Sequence, residues 1–156
     1  MDFRVHGLPP ALFNPLFALP DAQLEAGGRV RKVATGDTAM PCRVSLQDAA
    51  PGEEVILTNY AHLADPHTPY RAKGPIFVRK AATQTWDRIN EVPPSYLKRL
   101  LSVRAYDKNN MIVAAHVAKG DELLGLAEEI FGKPGVEYIH VHYAAFGCYH
   151  FRIDLA

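Results

Sequence analysis

The sequence predicts an α+β fold: a mostly antiparallel β-sheet with two or three short helices packed on it. Three observations lead there. Apolar residues alternate with a period of two along short stretches punctuated by Pro, Gly, Asn and Asp. Only the stretch around Leu123 to Phe131 keeps apolar residues at helical spacing for more than a turn or so. Finally, 156 residues with 48% hydrophobic and 22% charged content suit one buried core, so residues 1–156 are expected to form a single globular domain.

Phe3 to Leu8 reads as a strand. Pro10 then sets the first residue of a helical turn carrying Leu12, Phe13, Leu16 and Phe17, which Pro15 keeps short. A second short helix spans Asp21 to Ala26 and is stopped by Gly27 and Gly28. Period-two strands follow at Val30 to Val33, Arg43 to Leu46 and Val55 to Tyr60, the last two separated by the Pro51–Gly52 turn. Residues 61–74 read as a long irregular loop leading into the strand Pro75 to Arg79. Pro93 and Pro94 start a helix through Tyr96, Leu97, Leu100 and Leu101. Ser102 to Tyr106 and Met111 to Val117 form a hairpin around Asp107 to Asn110. Asp121 is the expected N-cap of the helix Glu122 to Phe131, which Gly132 and Pro134 end. Val136 to Tyr143 and Cys148 to Leu155 make the closing hairpin.

Charge excludes some partners. Lys plus Arg and Asp plus Glu each total 17, leaving no positive excess for phosphates or anionic lipid, so neither nucleic acid nor a membrane surface is expected as a partner. No apolar run is long enough to cross a bilayer, and prolines interrupt the N-terminal apolar residues where an export signal needs continuity. A cytoplasmic protein is expected, with Cys42 and Cys148 as thiols. The phosphate-loop, dinucleotide, nucleophile-elbow and His-Glu-x-x-His motifs are all missing.

The closing hairpin holds the chemistry. Strict alternation would put Ile139, Val141 and Tyr143 with Tyr149, Phe151 and Ile153 on one face. The other face would then collect His140, His142, Cys148 and His150, with cross-strand neighbours about 5 Å apart. Imidazole and thiol groups at that range allow three readings: a metal site, a histidine acting as general acid or base beside a nucleophilic cysteine, or histidines that merely pack against a helix or lie on a solvated face. Between Tyr60 and Arg71, two phenols with His62, His67 and Arg71 could hold a carboxylate or phosphate, with Arg43 joining through its guanidinium fork. The structural alternative is that Arg71 ties the loop to backbone carbonyls.

Several stretches are specific as a set: Pro41 to Ala49, Pro51 to Glu54, Pro69 to Arg71, Gly74 to Val78, His140 to His142, and Gly147–Cys148 before Arg152 to Asp154. Together they resemble the bacterial family designated domain of unknown function 1203, over nearly the full chain. The resemblance implies a compact domain and supplies no reaction, substrate or cofactor. It puts Cys42, Arg43, Tyr70, Arg71, His140, His142 and Cys148 at motif positions, whereas His67 and His150 match none. Where the family pattern has a polar residue after His-x-His, this chain has Tyr143.

Three functions follow as expectations. The first is a small-ligand-binding protein or enzyme with a polar His/Cys/Arg pocket: catalytic candidates His140, His142, Cys148 and Cys42, ligand-binding candidates Arg43, Tyr70 and Arg71, and a small anion as ligand. The second is a homodimeric interaction module presenting strand edges or Tyr138, Tyr143 and Tyr149. The third is a metal-binding domain using His140, His142 and Cys148. A Cys42–Cys148 disulfide would require their Cα atoms within about 7 Å. No cofactor is specified.

Overall fold

A computed structural model describes residues Met1–Ala156. The architecture is mostly antiparallel sheet with two short α-helices and a few 3-10 turns. In chain order the elements are β1 (Phe3–His6), α1 (Asp21–Ala26), β2 (Val30–Val33), β3 (Glu54–Leu63), β4 (Ala72–Arg79), β5 (Asp87–Ile89), β6 (Leu100–Tyr106), β7 (Ile112–Lys119), α2 (Leu123–Phe131), β8 (Tyr138–Tyr143) and β9 (Tyr149–Leu155). A six-stranded sheet runs β5-β1-β9-β8-β6-β7 and a three-stranded sheet runs β2-β3-β4.

The main core lies on one face of the large sheet. Alternation supplies Phe3 and Val5 from β1, Leu101, Val103 and Ala105 from β6, Ile139 and Val141 from β8, and Phe151 and Ile153 from β9. Helix α2 covers them with Leu123, Ala127, Ile130 and Phe131, residues at i, i+4, i+7 and i+8 that share one helix stripe. Each large apolar side chain buried there contributes about 1.5–3 kcal/mol. Phe131 also stacks on Phe3, centroids 5.7 Å apart. A second cluster, containing Leu8, Phe13, Cys42, Val44, Ile76, Val78 and Tyr149, joins the opposite face of the large sheet to the small one.

The stretch expected as a strand at Arg43 to Leu46 is instead a tight turn. Leu46 N donates to Cys42 O (3.0 Å) and Cys42 N to Gln47 O (2.9 Å), while Leu46 sits fully buried at φ 52°. A left-handed conformation at a bulky residue costs on the order of 1–2 kcal/mol and is held by its surroundings. The gain is position: this turn wedges between the sheets. Arg43 N donates to Phe77 O of β4 (3.1 Å), Leu8 N to Arg43 O (2.8 Å) and Trp86 N to Val44 O (2.9 Å). Gly7 makes that approach feasible, because a Cβ there would lie 2.6 Å from the carbonyl oxygens of both Arg43 and Val44.

Other expectations shift for identifiable reasons. The helix from Pro93 is only a 3-10 turn, Pro94–Tyr96, because Leu100 and Leu101 pair with β7 and enter the large sheet. Strand β5 pairs with β1 although its three residues show no period that sequence reading could detect. The supposed long loop narrows to 64–71, since β3 and β4 extend through a β-bulge between Tyr60 and Leu63. Asp121 does not cap α2. A 3-10 turn, Gly120–Glu122, leads into the helix, and Glu122 accepts from Lys119 N (3.0 Å).

Gly120 packs on the 3-10 turn, where an added Cβ would lie 2.0 Å from Tyr96 O. Backbone, not a flexible side chain, is the obstacle. Gly120→Ala is therefore expected to destabilise the fold by about 2–4 kcal/mol, read as a lowered urea midpoint; a loss under about 0.5 kcal/mol would contradict the close approach.

Candidate functional site

A one-residue register shift in the closing hairpin builds the site. β8 and β9 pair as His140↔Arg152 and Val141↔Phe151, then as His142↔Tyr149, so His150 is extra. This bulge corrects the expectation of strict alternation, because it leaves adjacent His150 and Phe151 on one face, both against Tyr96, and reverses the facing of Tyr149. Tyr149 joins His140 and His142, whereas His150 turns to Tyr96 and Tyr143. Cys148 goes with the second group: Tyr143 N donates to its carbonyl (2.9 Å), which places it opposite Tyr143. The expected set of His140, His142, Cys148 and His150 on one face is thus split in two.

The first group sits under the small sheet. His62, delivered by the β3 bulge, meets His142 with ring centroids 4.8 Å apart and His140 at 6.0 Å, and stacks on Tyr149 at 5.5 Å with 5° between planes. His142 Nδ1–H donates to Gly147 O (3.0 Å), because a carbonyl only accepts, so neutral His142 keeps Nε2 unprotonated. That Nε2 and the Nδ1 atoms of His62 and His140 are buried without hydrogen-bond partners. Burial pulls all three histidines down: His62 to about 4, His142 to about 3 and His140 to about 2. Arg104 reinforces the effect on His62 and His142, and the other two histidines reinforce it on His140. The cluster is a neutral, aromatic layer between the sheets. No three His, Cys, Asp or Glu side chains anywhere are arranged to hold a metal ion.

The second group lines a cavity of about 590 Å³ at one end of the contact between the sheets, a size typical of small-molecule sites. Its walls are Met40, Pro41, Leu57, Pro75, Phe77, Tyr143 and Phe146, and its polar groups include Lys32, Arg43, Cys148 and His150. It holds two cationic side chains and no carboxylate. Arg43 is the only lysine or arginine that is buried, at 2% exposure. Its Nε donates to Tyr149 O (2.7 Å), its Nη1 to Pro41 O and its Nη2 to Cys148 Sγ (3.2 Å), all without an acidic partner. Arg79, which lines a smaller hollow of about 310 Å³, is by contrast paired with Glu53.

His150 adds a donor. It is fully buried, and its Nδ1 lies 2.6 Å from Tyr96 Oη, the only partner of that phenol. Burial raises Tyr96 and drives His150 well below the ordinary histidine range, so both are neutral. A buried phenol with one partner satisfies its proton by donating to it, leaving the single imidazole proton on Nε2, which has no partner.

A family model described as "Protein of unknown function (DUF1203)" matches residues 39–154. The chain belongs to this family. No curated protein and no solved structure matches. The DUF1203 match takes in the histidine layer and every cavity residue named above except Lys32, on β2.

The structure brings together Arg43 and Cys148, and separately His140 and His142. Cys42 is buried 0% exposed with Sγ accepting from Arg79 N (3.3 Å), and both cysteines are free. Tyr70 and Arg71 lie exposed beyond the cavity, as does His67. Tyr138 and Tyr149 are buried within the chain, leaving Tyr143, half-buried, as the only accessible member of that trio. Sequence reading missed Phe77 and Phe146 and the pairing of His62 with the hairpin histidines. A bulge has no residue signature that would have revealed the last.

The neutral histidine layer makes stability pH-dependent. An unfolded chain takes up these protons near pH 6.5, whereas the folded protein does so only at about 4, 3 and 2. Stability is therefore full above pH 6.5 and lost as pH falls through the window below it. We expect unfolding free energy to drop by at least about 1 kcal/mol between pH 7.5 and 5, and His62→Gln to flatten that slope; a wild-type urea midpoint unchanged over this range would contradict the assignment.

Proposed function

We propose that this protein binds a small organic anion, an apolar body bearing a carboxylate, in the cavity between its two sheets. The observation that carries the reading is Arg43: a buried guanidinium on the wall of an open cavity, with carbonyls and a sulfur for partners and no acid to balance it. A buried charge without a counter-ion is costly, and a bound carboxylate relieves that cost. His150, whose ring Nε2 has no partner, and the cationic Lys32 belong to the same cavity lining. The apolar walls suit the rest of such a molecule. Phe146 is 85% exposed beside the cavity, and covering it would bury further apolar surface.

The arrangement favours binding over a reaction that needs His140 or His142. Those histidines lie on the other face of the hairpin and do not line the cavity.

Octanoate and octanol test the proposal, since they share an alkyl chain and differ in charge. Octanoate at millimolar concentration should raise the thermal midpoint and give a saturable calorimetric isotherm, with octanol at least about tenfold weaker. Phe146→Ala, an exposed and structurally tolerant change, should weaken octanoate about threefold to tenfold. Equal response to acid and alcohol, or none to either, would refute an anion site.

A further inference from the structure

We infer that Cys148 is a nucleophile directed toward carboxylic acids whose electrophilic carbon adjoins the carboxyl group. The inference rests on the anion site proposed above and adds a reacting atom to it.

Two cysteines offer a contrast within one chain. Cys42 is fully buried and its sulfur accepts from a backbone amide. Cys148 is partly exposed, lines the cavity, and has its sulfur 3.2 Å from Arg43 Nη2. Reactive cysteines are partly accessible and lie beside a cation, and only Cys148 meets both conditions. A second feature of the same cavity points independently to a ligand: His150, fully buried, is one of its lining residues, and its Nε2 has no hydrogen-bond partner in the protein.

Geometry narrows the substrate class. Because guanidinium and sulfur are in direct contact, a carboxylate held at Arg43 leaves room for only one or two bonds before the carbon that meets Sγ. An α-substituted acid fits that span. A long-chain acid with a distant electrophile does not. In the reaction with an α-halo acid, the Sγ–C bond forms as the carbon–halogen bond breaks. Halide leaves with the electron pair and the thiol proton passes to solvent.

Iodoacetate and iodoacetamide separate charge direction from simple exposure, since they deliver the same carbon with and without a carboxylate. The experiment uses the intact wild-type protein. Mass spectrometry of peptides reports alkylation at Cys148 and Cys42, with free cysteine as the reference thiol and Cys148→Ser to identify the site. Relative to free cysteine, iodoacetate should be favoured over iodoacetamide by about tenfold at Cys148, octanoate should slow it, and Cys42 should stay unmodified while the protein is folded. If octanoate binds but Cys148 shows no preference for the acid, the nucleophile inference is overturned and the anion site stands. If octanoate fails to bind and the two reagents react alike, both fall.

Discussion

Arg43 joins the two sheets through one residue, and the cavity exists because of how it does so. Its backbone nitrogen bonds to β4 in the small sheet and its carbonyl receives Leu8 after β1 of the large sheet. Its side chain reaches Tyr149 O at the start of β9. Removing the guanidinium would leave buried carbonyls without donors, each such loss costing about 1–3 kcal/mol. Keeping it buries a positive charge whose other partners are a second carbonyl and a thiol. Structure and candidate function therefore meet in the same group.

The bulge at His150 divides the labour between the faces of the closing hairpin. Without it, Tyr149 would lie with Phe151 in the main core, and His150 would crowd the histidine layer. With it, Tyr149 closes the layer by stacking on His62, and His150 reaches Tyr96. Each imidazole is then neutral for the same physical reason, desolvation, but in different company. The layer is packed among tyrosines and serves cohesion between the sheets. His150, held by a phenol, belongs to the cavity lining and keeps a ring nitrogen without a partner.

Charge pairing elsewhere sharpens the contrast. Arg4 meets Asp87, Arg31 meets Asp21 and Glu54, Arg79 meets Glu53, Arg99 meets Asp48 and Arg152 meets Asp154. These are exposed or half-buried pairs that contribute at most modestly to stability. Arg29, Arg71, Arg88 and Arg104 also lack an acid partner, but each keeps access to water, whereas Arg43 is buried without one. Burial and the lack of an acid coincide only at Arg43, and that combination reads as a site.

By itself the sequence determined the fold class, most strand positions, α1 and the stripe of α2. These depend on local period and on Pro and Gly chemistry, which act within a few residues. It also brought Arg43, Cys148, His140 and His142 forward as the polar residues of interest, through family motifs and through alternation in the closing hairpin. Tertiary structure alone decided which of them meet. A single inserted residue in β9 reversed the facing of everything before it. The left-handed Leu46 turned an expected strand into the wedge carrying Arg43, and the β3 bulge brought His62 onto the hairpin. Each is a non-local balance in which packing between distant segments outweighs a local cost of about 1–2 kcal/mol. No period or motif in the chain records that balance.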